Sequence, residues 1–158
     1  HLPLDGHIRY GNAASIAQRL GLKNLSGFGE YKGATTGVWG KFEKELTSEE
    51  LKNKLEEVLN HSIIHSKADS NLIESLAIIT GGANSQWKEC LDYEIDAYVT
   101  GEISEHDWHE AKESGVHYFA GGHNATEQFG VQELLKYIHD KYQKENLELF
   151  FIPSENPA

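Results

Sequence analysis

From Leu76 onward, short apolar runs stop at glycine, and each is followed by a helical stretch. Leu76-Ala77-Ile78-Ile79-Thr80 runs into Gly81-Gly82, Ala97-Tyr98-Val99-Thr100 into Gly101, and His117-Tyr118-Phe119-Ala120 into Gly121-Gly122. Runs of this length bounded by glycine read as buried strands. Between them, Ser85 to Leu91 reads as a helix. So does the stretch opened by Ser104-x-x-Asp107, a capping-box spacing, and stopped by Gly115. A long helix is predicted from Ala125, with Phe129, Leu134, Leu135 and Ile138 at helical spacing. A fourth strand is predicted over Leu147 to Ile152, stopped by Pro153. Strands that alternate with helices require right-handed crossovers. They predict an α/β fold, layered α/β/α, around a largely parallel mixed sheet.

The first half is less regular. Asn12 reads as an N-cap, ahead of an apolar face of Ile16, Ala17 and Leu20 that ends at Gly21. Leu25 to Leu46 is rich in Gly and Thr, with Phe28, Tyr31, Val38, Trp39 and Phe42 spaced as in short strands. Thr47-Ser48-Glu49-Glu50 starts a helix whose face is Leu51, Leu55, Val58 and Leu59, ending near Asn60. His61 to Asn71 is polar around Ile63-Ile64. Three regions follow: 1–24, a strand-rich insertion 25–75 with one helix, and a βαβαβαβ segment 76–158.

Composition removes several classes of function. At 158 residues the chain is long enough for one good core. With 14 basic and 25 acidic residues the net charge is −11, which repels a phosphate backbone and argues against nucleic-acid binding. No apolar run approaches the roughly 18 residues of a membrane span. The single Cys90 forms no internal disulfide, fits a reducing cytoplasm, and reads as an inert helix thiol. There is no Ser-His-Asp or Cys-His constellation. The chain lacks methionine and opens in an apolar-polar pattern, so a missing upstream part is expected.

Chemistry is concentrated in histidines and carboxylates. His-x-x-x-acid spacing occurs at His1/Asp5, His65/Asp69, His106/Glu110, His109/Glu113 and His123/Glu127, too often for spacing to discriminate. Position does discriminate. In open α/β sheets ligands bind beyond the carboxyl ends of the strands. Gly81-Gly82, Thr100-Gly101-Glu102 and Gly121-Gly122-His123 all fall there. An imidazole and a carboxylate at such an end suit a divalent metal, whether Fe, Zn, Mn or Ni. The same residues also read as a cap, with Asn124 as N-cap and Glu127 three residues on. Glu102 is expected near the centre. His106 and His109 share a helix face, where they would orient ligands or lie on a solvated surface. Gly81-Gly82-Ala83-Asn84-Ser85 reads as an anion cradle or simply as a tight turn. His61, His65, His117 and His139 have no supporting context.

Five motifs fall in the order of a known family. They are His1-Leu2-Pro3-Leu4-Asp5; Gly11-Asn12-x-Ala14 before Leu20-Gly21-Leu22; Thr80-Gly81-Gly82; Asp96-Ala97-Tyr98-Val99-Thr100-Gly101-Glu102; and Gly122-His123-x-Ala125-Thr126-Glu127. Over nearly its whole length the chain resembles the GTP cyclohydrolase I type 2 homologues, also called Ngg-interacting-factor-like proteins. That resemblance implies two similar α/β halves, the first incomplete here, around a dinuclear centre in a toroidal homohexamer. It implies His1, Asp5, His123 and Glu127 as ligands to two divalent metal ions. Beside such a centre, the positions of Glu102 and His106 make them the candidates for moving protons. The family's further His-His-Gly ligands, upstream of His1, are absent. The implied activity is hydrolysis of a purine nucleotide by metal-activated water. The alternative is a metal-binding scaffold that acts through protein partners without turnover.

Overall fold

The computed structural model describes residues 4–154, 156 and 157. The sheet grows outward from three parallel strands, β4 (Leu72–Ile78), β5 (Ala97–Thr100) and β6 (His117–Ala120). On one side, β2 (Ala34–Thr47) runs antiparallel to β4 and carries β1 (Lys23–Tyr31) as its hairpin partner. On the other, β3 (Ile64–Ser66) runs antiparallel to β6. The spatial order is β1-β2-β4-β5-β6-β3. Parallel pairing is therefore the centre of a mixed sheet, flanked by antiparallel strands, and residues 25–75 belong to that same sheet.

Strand alternation divides the apolar residues into two cores. Leu76, Ile78, Ala97, Val99 and Phe119 face α1 (Asn12–Leu20), α2 (Ser48–Leu59) and the start of α5 (Phe129–Lys141). Ala77, Ile79, Tyr98, Tyr118 and Ala120 face a 3₁₀ helix (Asn84–Leu91) and α3 (Glu105–Glu113). Both faces are covered, which gives the layered α/β/α fold. Among the described residues no helix is long and apolar enough to cross a membrane.

Local signals explain most boundaries. The Thr47 hydroxyl accepts from the Glu50 amide and the Glu50 carboxylate accepts from the Thr47 amide, a complete capping box at the start of α2. Four readings need correction. Gly11, not Asn12, caps α1. Asn12 is drawn inward by side-chain bonds at both ends: it donates to Asp5 Oδ1 at 2.8 Å and accepts from the Gly130 amide at 2.6 Å. Ser104 caps α3 without a side-chain bond, because Asp107 is fully buried and accepts from the Trp87 indole at 2.9 Å. The helix read from Ala125 is broken into α4 (His123–Thr126) and α5. Finally, Leu147 to Ile152 forms no strand, and Phe150 and Ile152 are 76% and 85% exposed. A further parallel strand would pair with β6, and β3 already occupies that edge.

Candidate metal centre at the strand ends

Three loops leave β4, β5 and β6 side by side, and backbone bonds fasten them together. The Gly101 amide donates to Gly81 O, and the Gly122 amide to Gly101 O, each at 2.9 Å. The buried Thr100 hydroxyl donates to Gly81 O at 3.0 Å. The buried Thr126 hydroxyl oxygen accepts from the Gly81 amide at 3.2 Å, with the Gly122 and His123 carbonyls each at 3.0 Å. Neither threonine stood out in the sequence. Their only signal is membership of the quoted motifs, Thr100 before Gly101 and Thr126 before Glu127.

On this platform His123, the first residue of α4, lies between two carboxylates. Its Nδ1 is 2.6 Å from Glu102 Oε1 and its Nε2 is 3.2 Å from Glu127 Oε2. The hydrogen bond to Glu102 is the main reason the imidazole pKa is raised, with the Glu127 charge adding to it and desolvation opposing. A neutral imidazole carries one N–H. The shorter bond to Glu102 takes it at Nδ1, leaving the Nε2 lone pair facing a carboxylate. Two acceptors at that distance repel unless a proton or a cation lies between them. A carboxylate behind a histidine, fixing its tautomer, is the usual support of a metal-ligating imidazole.

Gly81 makes this approach possible. Its φ is +73°, and a Cβ there would strike Glu127 Oε1 and stand 3.1 Å from His123 Nε2. Glu127 also lines a cleft of about 460 Å³ together with Asp5, Thr80 and Gly82. Asp5 is held there by Asn12, whose other bond reaches the start of α5.

The structure thus brings Glu102, His123 and Glu127 together and puts Asp5 on the same cleft as Glu127. His1 lies outside the described residues. His106 is not drawn into the group: its exposed ring is 3.4 Å from Asp107. The capping reading of Asn124 and Glu127 is corrected. Gly122 holds the N-cap position, Asn124 donates to Asn156 O at 2.9 Å, and Glu127 ends α4. His123 and Glu127 fit a metal as part of its ligand set. Among the described residues no group of three or more His, Cys, Asp or Glu side chains is gathered as a complete set.

A family model described as Duf34/NIF3 (NGG1p interacting factor 3) matches residues 1–157. A Vibrio cholerae protein named "GTP cyclohydrolase 1 type 2 homolog" is 36% identical over 160 residues, with 100% of this chain and 62% of that protein covered. A Haemophilus influenzae protein of the same name is 34% identical over 159 residues, with the same coverage. The chain therefore spans about 62% of the length of these curated relatives. A solved structure described as protein ybgI, of unknown function, superposes with a TM-score of 0.85 at 33% identity, covering 100% of this chain and 61% of that one. Reduced HcgD from Methanocaldococcus jannaschii has a TM-score of 0.68 at 22% identity, covering 88% and 53%, and shares the fold. Sequence motifs, strand order and relatives agree, and the chain belongs to the Duf34/NIF3 family.

Proposed function

We propose that the chain supplies one part of a dinuclear divalent-metal centre in a cytoplasmic, metal-dependent hydrolase acting on a purine nucleotide. His123, Glu127 and Asp5 would hold the ions, and the family resemblance adds His1 to them. The supporting observation is the Glu102–His123–Glu127 line, in which Nε2 and a carboxylate oxygen face each other 3.2 Å apart, a gap bridged by a proton on the imidazolium or by a cation in its place. Glu102 fixes the tautomer at Nδ1 and is the group placed to move a proton. Asn12 holds Asp5 toward the cleft. Divalent ions, when bound, supply Lewis-acid activation of water toward an electrophilic carbon. The purine substrate follows the printed name of the relatives, and the family resemblance adds a toroidal homohexamer.

Elemental mass spectrometry of the protein at the full length of its relatives tests this reading. About two divalent ions per chain are expected, as in two-metal hydrolase sites, falling sharply in His123→Ala. Metal that ignores the substitution would overturn it. A second reading, a metal-binding scaffold that acts through protein partners without turnover, draws on the acidic character of the chain, with a net charge of −11. Metal-loaded protein that releases no formate from GTP would favour it.

A further inference from the structure

Two residues that line the cleft each hold a buried oxygen without a hydrogen-bond partner among the described residues: Thr36 Oγ1 and Gln86 Oε1. Both residues line the cleft that ends at Asp5 and Glu127, and both are only half-buried as whole residues. They are also close to one another. Gly29, at φ +69°, lays its backbone against the pair. A Cβ there would stand 2.7 Å from the Thr36 oxygen and 3.4 Å from the Gln86 oxygen, so the two lie within about 6 Å. An unpaired buried acceptor is costly, and in a native protein it calls for an explanation. Nearby Ile79, Ala34 and Ala83 supply apolar surface on the same cleft. The volume of about 460 Å³ suits a small organic molecule. Both oxygens lie on side chains with a rotatable end, so a rotation in each is the motion the proposal requires to turn them toward the cleft.

We propose that Thr36 and Gln86 form the recognition floor of this cleft and read the N–H edge of a planar nitrogen heterocycle. With Oε1 turned to the ligand, the Gln86 amide accepts from a donor there. The Thr36 hydroxyl donates or accepts and serves the adjacent ring position. The apolar residues take the ring face, and the reacting end of the molecule lies toward Glu127 and Asp5. This deepens the hydrolase reading and rests on it. Sites built to hydrogen-bond a substrate edge discriminate strongly against molecules that lack it, because their polar groups are then left unpaired.

The test is calorimetric titration of guanosine, adenosine, cytidine and uridine into the longer protein, wild type, Thr36→Val and Gln86→Leu, with and without added metal. Metal content and thermal midpoint are measured on each sample. Saturable binding of at least one nucleoside is expected, weakened about ten-fold or more in both variants. Metal content should be unchanged, and the midpoint equal or higher, because each variant removes a buried group with no partner. No binding of any nucleoside, or equal binding by all three proteins, overturns the proposal and leaves the oxygens as sites for structural water. Wild type that holds no metal overturns the hydrolase reading instead, and the metal content of each sample reports that failure separately from nucleoside binding.

Discussion

Gly81 is the residue at which backbone conformation and site chemistry meet. Its amide is fixed by Thr126, its carbonyl by Gly101 and Thr100, and its missing Cβ leaves room for Glu127. Gly81→Ala should destabilise the fold by about 1–3 kcal/mol, from the left-handed backbone and the displaced carboxylate. Urea denaturation measures the first effect. Metal content, which should fall with Glu127 displaced, measures the second; a variant with wild-type stability and loading would refute the assignment. At this scale His123 and Glu127 were legible because a motif coincided with a strand end. Asn12 was misread. Asn before an apolar run is a good cap signal, but the sequence does not say whether its amide turns to the helix or, as here, to Asp5 and Gly130.

Among the elements, β5 and β6 were legible residue for residue. Both are buried on both faces and punctuated by glycine. By contrast β3 was not, because its segment is polar and half of its pairing information lies in β6. That missed strand carries His65, which stacks on Phe119 with ring centroids 4.2 Å apart and lies 3.3 Å from His117 Nδ1. Burial holds the His65 pKa down to about 4, with the His117, Lys52 and Lys67 charges acting in the same direction. Burial also lowers His117, opposed by its bond to the Ser70 carbonyl. Between pH 6.5 and about 4 the unfolded chain binds a proton at His65 that the folded chain does not. His65 therefore contributes stability in full above the unfolded value, and that contribution is lost as the pH falls toward 4. Unfolding midpoints of wild type and His65→Gln, followed from pH 7 to pH 4, should diverge at neutral pH and converge in acid. Parallel curves would exclude the pair as a source of acid sensitivity.

For the molecule as a whole, the alternation of strands and helices conveyed the layered fold. What it did not convey was which segment closes each edge of the sheet. The apolar tail Leu147 to Ile152 had strand character but no free partner, since pairing is settled between elements far apart in sequence. Cys90 offers a readout of the assembled whole. It lies on the 3₁₀ helix, fully buried in the core beneath it, and burial pushes its thiol pKa far up. Labelling by a thiol reagent should be slow in native buffer, and its rate should rise with urea in step with global unfolding. Rapid native labelling would reveal local opening of that core.

The loop platform has one more consequence. Its bonds run between backbone atoms, whereas Glu102, His123 and Glu127 above it remain partly open to solvent. Amide hydrogen exchange should therefore be slow at Gly101 and Gly122 although their immediate neighbours are wet. Loading the site would then change side-chain order and leave these amide exchange rates nearly untouched, as for a ligand landing on a surface that was rigid before it arrived.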